Sequence, residues 1–189
     1  MKRITVVLAL CVFAISGIAQ ENVKLNINAG IHNSSNSFYL EGNVKKTVFN
    51  EIFMGLGLVY SNIDIKATYN LFTYDRKTFS PFLILGYSLN TKNKISFLPQ
   101  LKAGYSFYTY SLNEFKVGEE KDNGFLLAPG IEINYNLNDK LDIGLHTFYN
   151  RIFNSYKNDY GISIPANYVI VGKKYIYDFS FGAGITYKF

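Results

Sequence analysis

The sequence contains almost no cysteine, no tryptophan, little proline and little charge. Its 189 residues include 1 Cys, 4 Pro and 2 His, and 17% of them are charged, against roughly 25% in an ordinary soluble domain. The single cysteine, Cys11, excludes a disulfide within one chain. With only two histidines besides, a transition-metal site is disfavoured, and we expect no cofactor.

Long apolar runs are also missing after residue 20, which argues against a helical membrane protein. Disorder is disfavoured as well, because 17% of the residues are aromatic. The formal net charge of +5 is mild and includes Lys2 and Arg3 at the extreme N-terminus. Since no Lys/Arg cluster occurs elsewhere, we expect no nucleic-acid binding.

The first residues have the organisation of a secretory signal peptide. A charged start at 1–3 precedes an apolar run at 4–15, and the small residues Gly17 and Ala19 precede Gln20. This run is too short for a stable transmembrane anchor. The sequence therefore predicts a signal peptide over 1–19 and a single domain over 20–189.

Apolar and polar residues alternate through most of that domain, which is typical of strands with one apolar face. Eight segments show this pattern: 23–31, 52–60, 63–71, 83–89, 95–107, 125–137, 141–149 and 175–189. Short polar turns are predicted at 61–62, 75–78, 90–93 and 138–140, and longer loops at 32–47, 110–124 and 150–174. Most of the tight turns and both termini then lie at one end, as in an all-β, eight-stranded antiparallel up-and-down barrel.

Glycine indicates which face of the strands lies inside. Nine of the 15 glycines fall on the polar face: Gly30, Gly55, Gly57, Gly86, Gly104, Gly130, Gly144, Gly182 and Gly184. Glycine weakens a water-exposed strand, but it provides room for polar side chains inside a narrow lumen. The predicted structure is therefore a transmembrane β-barrel with its apolar face in lipid. Pro99 and Pro129 fall within strands, so bulges or shifted strand ends are expected there.

The C-terminus carries a further signal, because apolar and aromatic residues alternate through Gly184 and Tyr187 to the final Phe189. Together with the signal peptide and eight strands, this ending resembles the small porin-like outer-membrane β-barrel family. The resemblance implies a monomer in a Gram-negative outer membrane, surrounded by its lipid, with both termini periplasmic. It also implies recognition of the terminal strand by the barrel-insertion machinery.

Polar and charged residues on the predicted inner faces are the candidate functional residues. They are Lys24, Glu51, Asp64, Lys66, Lys102, Glu132, Asp142, His146 and Asp178. Charges in a low-dielectric lumen must be paired or hydrated, so the favoured interpretation is a structural network that plugs the barrel. An ion path, and an acid–base pair of Glu132 and His146, are the functional alternatives.

The favoured function is non-enzymatic: a structural or surface-interaction role, with an extracellular partner bound through loops 32–47, 110–124 and 150–174. One alternative is a lipid A deacylase, because His32 and Ser34 have the spacing of a His/Ser pair near the barrel rim. A narrow pore for small solutes and a secreted soluble barrel are the remaining alternatives.

Overall fold

The computed structural model describes residues 23–33, 37–66, 73–90, 94–112, 117–154 and 175–189. Its strands are β1 Val23–His32, β2 Phe38–Phe49, β3 Ile52–Lys66, β4 Thr73–Tyr87, β5 Leu89–Asn90, β6 Ile95–Leu112, β7 Val117–Asn138, β8 Leu141–Asn154 and β9 Tyr175–Lys188. Within these ranges no helix is long and apolar enough to cross a membrane.

The strands close into one barrel. The sheet order is β4-β3-β2-β1-β9-β8-β7-β6-β5, and β4 also pairs with β6. β5 continues β4 by two residues after an interruption at Ser88, and both strands pair with β6. All of the pairings are antiparallel, so the predicted closed eight-stranded up-and-down barrel is confirmed.

One strand was missed by the sequence analysis. Residues 38–49, within the predicted loop 32–47, form β2, which pairs with both β1 and β3. Its outward face includes Gly42 and Lys46 among apolar residues, and its inward face carries Glu41, Asn43 and Lys45. Because this alternation of apolar and polar residues is weak, it did not indicate a strand. Only a short connection separates β1 from β2.

The strand β3 was wrongly divided in two. Residues 52–60 and 63–71 were predicted as separate strands joined at 61–62, yet β3 runs without interruption from Ile52 to Lys66. The apolar phase changes at Ile63 because this side chain faces the lumen, where it is 3% exposed. The predicted turn at 75–78 is also wrong, since these residues lie within β4. The missed strand and the divided strand together left the count at eight.

The other two predicted long loops, 110–124 and 150–174, are shorter than expected. β6 continues to Leu112 and β7 begins at Val117, so most of 110–124 is strand. β8 continues to Asn154, and residues 155–174 lie outside the described residues. We call the end of the barrel with these connections the loop end. The opposite end, with the 50–51 and 139–140 turns, is the terminus end.

The two prolines leave the strand register intact, so no bulge forms at either. Of the two expected outcomes only the shift of strand ends is seen, since β6 ends at Leu112 and β7 begins at Val117. Pro99 pairs with Ile131, and Pro129 pairs with Leu101, in continuous β6–β7 register. The β7–β8 ladder lacks pairs for Ala128 and Pro129, yet its register is the same on both sides. The register shifts in these ladders lie instead at Tyr110/Leu112 and Asn136/Asn138.

The barrel is polar inside and apolar outside, as predicted. Asn26, Ser106 and Glu132 are almost fully buried, whereas Ile31, Leu83 and Leu145 are more than half exposed. Exposed tyrosines form one group nearer the loop end, Tyr60 and Tyr105, and another toward the terminus end, Tyr87, Tyr135 and Tyr187. This distribution suits a lipid-facing band with interfacial aromatic side chains.

Candidate functional site

Two ion pairs cross the middle of the lumen. Lys45 Nζ on β2 lies 2.6 Å from Glu132 Oε2 on β7, and in the sheet order these strands stand on opposite sides of the barrel. Lys102 Nζ on β6 lies 2.6 Å from Glu41 Oε2 on β2. All four side chains are buried. We call these four residues the central polar cluster.

Amide groups complete the hydrogen bonding of both carboxylates. Glu132 also accepts hydrogen bonds from Asn134 Nδ2 at 2.8 Å and Gln100 Nε2 at 3.1 Å. Glu41 accepts a hydrogen bond from Asn43 Nδ2 at 2.8 Å. A buried carboxylate is tolerated when its charge is paired and its lone pairs are occupied, and both glutamates meet this condition.

Aromatic rings fill the space beside the central polar cluster. Phe53, Phe82 and Phe148 are buried in the lumen, and Lys102 Nζ lies 3.4 Å from the centroid of the Phe148 ring. A cation above a ring face is stabilised by the ring quadrupole. The ion pairs and rings thus lie side by side in the lumen of the barrel.

The inward glycines make room for these rings and amides, as the sequence predicted. A Cβ built on Gly86 would lie 2.8 Å from Phe53 Cε2 and 2.8 Å from the Pro99 carbonyl oxygen. At Gly130 a Cβ would meet the Phe148 ring. Large side chains on one strand therefore require the absence of a side chain at the paired position of the neighbouring strand.

This complementarity gives a testable prediction. Gly86→Ala is expected to destabilise the barrel by about 1–3 kcal/mol, because a clash with the backbone oxygen of Pro99 cannot be relieved by a side-chain rotation. The midpoint of urea unfolding in lipid vesicles measures the effect.

The matched control is Gly42→Ala, since a Cβ at the outward-facing Gly42 has nothing within 4 Å. That variant should be neutral or more stable by up to about 1 kcal/mol, because it lowers the conformational entropy of the unfolded chain. Equal effects at the two positions would contradict the packing account.

A second polar cluster lies toward the loop end. Asp178 Oδ1 lies 3.0 Å from His32 Nδ1 and accepts a hydrogen bond from Asn150 Nδ2 at 2.8 Å. Arg76 Nη2, from the opposite wall, lies 3.5 Å from Asp178 Oδ2. A further ion pair, Lys188 Nζ with Asp142 Oδ1 at 2.8 Å, lies at the terminus end.

The nine predicted luminal residues divide into three groups. Lys102, Glu132, Asp142, His146 and Asp178 are buried in the lumen, and Lys24 is half-buried on β1. Glu51 does not lie in the lumen, because it belongs to the exposed turn between β2 and β3, where Tyr87 Oη donates to it at 3.3 Å. The side chains of Asp64 and Lys66 lie outside the described residues.

Sequence reasoning missed Glu41, Lys45 and Arg76, which lie in segments predicted as a loop and a turn. The alternation of Tyr39, Glu41, Asn43 and Lys45 with Leu40 and Val44 was the signal that could have revealed the first two. Arg76 gave no such signal, because its outward neighbour Lys77 is also charged.

Both histidines are engaged by other luminal groups, and His146 and Glu132 do not form the acid–base pair that the sequence left open. His146 stands directly opposite Glu132 in register, but its Nε2 is hydrogen-bonded to Tyr39 Oη and Glu132 is bonded to the central lysine and amides. His32 is buried and faces the lumen, and its predicted partner Ser34 lies outside the described residues. Within the described ranges, no group of His, Cys, Asp and Glu could hold a metal ion.

The predicted assembly signal lies on the closing strand. β9 pairs with β1 along Lys24–His32, and Phe189 N donates to the Val23 carbonyl at 3.0 Å. Tyr187 and Phe189 are exposed on the outer surface, whereas Gly184 faces Asn28 inside. The terminal residues thus present aromatic groups outward at the terminus end.

Comparison with solved structures finds barrels of the same kind. The Neisserial surface protein A structure matches with a TM-score of 0.56 and 17% identity, over 88% of this chain and 96% of that one. A major outer membrane protein from Thermus thermophilus matches with a TM-score of 0.55 and 14% identity, over 88% and 99%. Ail, the attachment invasion locus protein of Yersinia pestis, matches with a TM-score of 0.53 and 14% identity, over 90% and 100%.

No protein-family model and no curated protein matches the sequence. At these identities the structural likeness shows the fold and not the activity. The chain has the fold of the eight-stranded outer-membrane β-barrels.

Proposed function

We propose that this chain is an integral outer-membrane protein of a Gram-negative cell and that its barrel is a closed, non-conducting anchor. The observation that carries this proposal is the pair of ion pairs across the lumen, Lys45 with Glu132 and Lys102 with Glu41. With the luminal rings beside them they support a lumen filled by side chains, as is usual for an eight-stranded barrel. A secreted soluble barrel is disfavoured, because water would face a surface of exposed Ile, Leu and Phe.

A barrel without a channel acts through what it presents at the membrane surface. We assign the external role to the loop end, chiefly to residues 113–116 and 155–174, which replace the larger loops expected from the sequence. Both termini are then periplasmic after removal of 1–19. The names of two similar barrels, a surface protein and an attachment invasion locus protein, support a surface-interaction role.

The enzymatic alternative is less well supported. A lipid A deacylase must bring its histidine to an ester in the surrounding lipid, outside the barrel wall. His32 is instead turned inward, and its Nδ1 is engaged by Asp178.

Assembly requires the insertion machinery, for which we assign Gly184, Tyr187 and Phe189 as the terminal signal.

The proposal predicts two linked results. The protein should fractionate with the outer membrane and migrate faster on a detergent gel when unboiled, because the closed barrel resists the detergent. The purified protein should then give no stepwise conductance in a planar lipid bilayer, in contrast to a large-pore barrel treated in the same way.

Two outcomes would contradict the proposal. Recovery from the soluble periplasm would exclude the membrane barrel. Regular conductance steps from the folded protein would exclude the closed lumen and favour the pore.

A further inference from the structure

A small cavity lies between the central polar cluster and the loop end. Its volume is about 40 Å³, and its lining includes His32, Ser61, Arg76, Thr78, Asn150 and Asp178. A cavity needs about 10–15 Å³ to hold one water, so this one has room for roughly three waters or one small oxyanion. We call it the outer cavity.

Several buried polar atoms of residues that line the outer cavity have no partner among the described residues. They are Arg76 Nε and Nη1, Thr78 Oγ1 and His32 Nε2. The three residues are all more than nine-tenths buried. A buried guanidinium with unpaired N–H groups is costly, so these atoms require an occupant.

Arg76 and Thr78 create a demand for acceptors at the outer cavity. Both oxygens of Asp178 are already engaged, Oδ1 by His32 and Asn150, and Oδ2 by Arg76. Glu41, which also lines the cavity, is bonded to Lys102 and Asn43. The guanidinium, by contrast, has donors only, and the Thr78 hydroxyl can donate as well.

An oxyanion meets this demand better than water. Each water that accepts from Arg76 brings two donors of its own, which the occupied carboxylates cannot readily serve. An oxyanion brings acceptors alone, and its hydrogen bonds to a guanidinium are charge-assisted. His32 adds a further donor at Nε2 when the ring carries both protons, because Nδ1 is turned to Asp178.

We propose that the outer cavity is a binding site for a small oxyanion no larger than phosphate, held by Arg76 and Thr78 with His32 beside them. The site is closed toward the terminus end by the central polar cluster. It therefore binds its ligand from the loop end and does not pass it on.

Inorganic phosphate is the probe. The full mature chain, refolded in lipid vesicles, is unfolded with urea at constant ionic strength while potassium gluconate, whose anion exceeds the cavity, is replaced by potassium phosphate. The unfolding midpoint should rise with phosphate and saturate, since a ligand of the folded state stabilises it by mass action.

Three variants make the result specific to the cavity. Arg76→Gln should require about tenfold or more phosphate for the same shift, because it removes the charge-assisted donors. Lys77→Gln, the control, removes the same charge from the exposed face of the same strand and should respond as the wild type. Thr78→Val keeps the charge and should weaken the response by about threefold, so it replaces Arg76→Gln if that variant does not refold.

A wild-type midpoint that follows gluconate and phosphate equally would overturn the proposal and leave the outer cavity to water. An unchanged response in Arg76→Gln, or in Thr78→Val where that variant stands in, would also overturn it, because the stabilisation would then be a general ion effect.

Discussion

Glu132→Ala is expected to lower the free energy of unfolding by about 3–5 kcal/mol, the range observed when one partner of a buried ion pair is removed. The substitution leaves the Lys45 ammonium, 3% exposed, without a counter-charge. It also removes the acceptor of Gln100 and Asn134. One buried charge and several hydrogen bonds are therefore lost together.

The measurement is urea unfolding in phospholipid vesicles, followed by circular dichroism and by the gel mobility of unboiled samples, since the chain has no tryptophan to report. Asp139→Ala in the exposed 139–140 turn is the control for loss of a carboxylate, and it should stay within about 0.5 kcal/mol of the wild type.

A double variant separates pairing from packing. Lys45→Met with Glu132→Leu replaces both charges by apolar groups of similar length and should recover part of the stability, because no unpaired buried charge remains. Gln100 and Asn134 still lose their acceptor in this variant, so recovery is incomplete. If Glu132→Ala alone matched the wild type, the ion pair across the lumen would not form in the membrane.

Leu145→Arg is expected to destabilise the barrel by about 2–4 kcal/mol, the cost of a cation on the lipid face near the bilayer midplane. Leu145 is 66% exposed, and its register neighbours Ile133 and Ala183 are also outward and uncharged. The large exposed fraction means that protein packing contributes little, so the measured change reports on the surrounding medium.

The stability of Leu145→Arg distinguishes a barrel surrounded by lipid from a barrel surrounded by water. In a soluble barrel an exposed Leu→Arg change would alter stability by no more than about 0.5 kcal/mol. Asp139→Arg in the turn is the control, because it places the same side chain outside the lipid band. A neutral Leu145→Arg in vesicles would contradict the membrane placement.

The alternation of side chains predicted the class of fold because a strand places successive residues on opposite faces. The inward glycines then indicated which face was inside, and Gly86 and Gly130 indeed stand against luminal rings. The same reasoning failed for β2, since a strand whose inward face carries Glu41 and Lys45 resembles a hydrophilic loop. It failed for β3 because Ile63 is an apolar residue facing inward.

Sequence reasoning could identify only two of the four residues of the central polar cluster. Glu132 and Lys102 could be assigned to the lumen from their phase, but their partners Lys45 and Glu41 lie 87 and 61 residues away. No local pattern links residues at such separations. Their pairing depends on the order of strands around the barrel, which places β2 opposite β7 and three strands away from β6.

The sequence by itself determined that this protein is a barrel with a polar interior, because alternation and glycine placement are properties of each strand alone. Only the tertiary structure decided which charges meet. Closure between β1 and β9 and between β4 and β6 fixes the distance across the lumen, and that distance lets a lysine on one wall reach a glutamate on the other. It also leaves Arg76 Nε and Nη1 without an acceptor among the described residues, and for this reason Arg76 is a candidate binding residue.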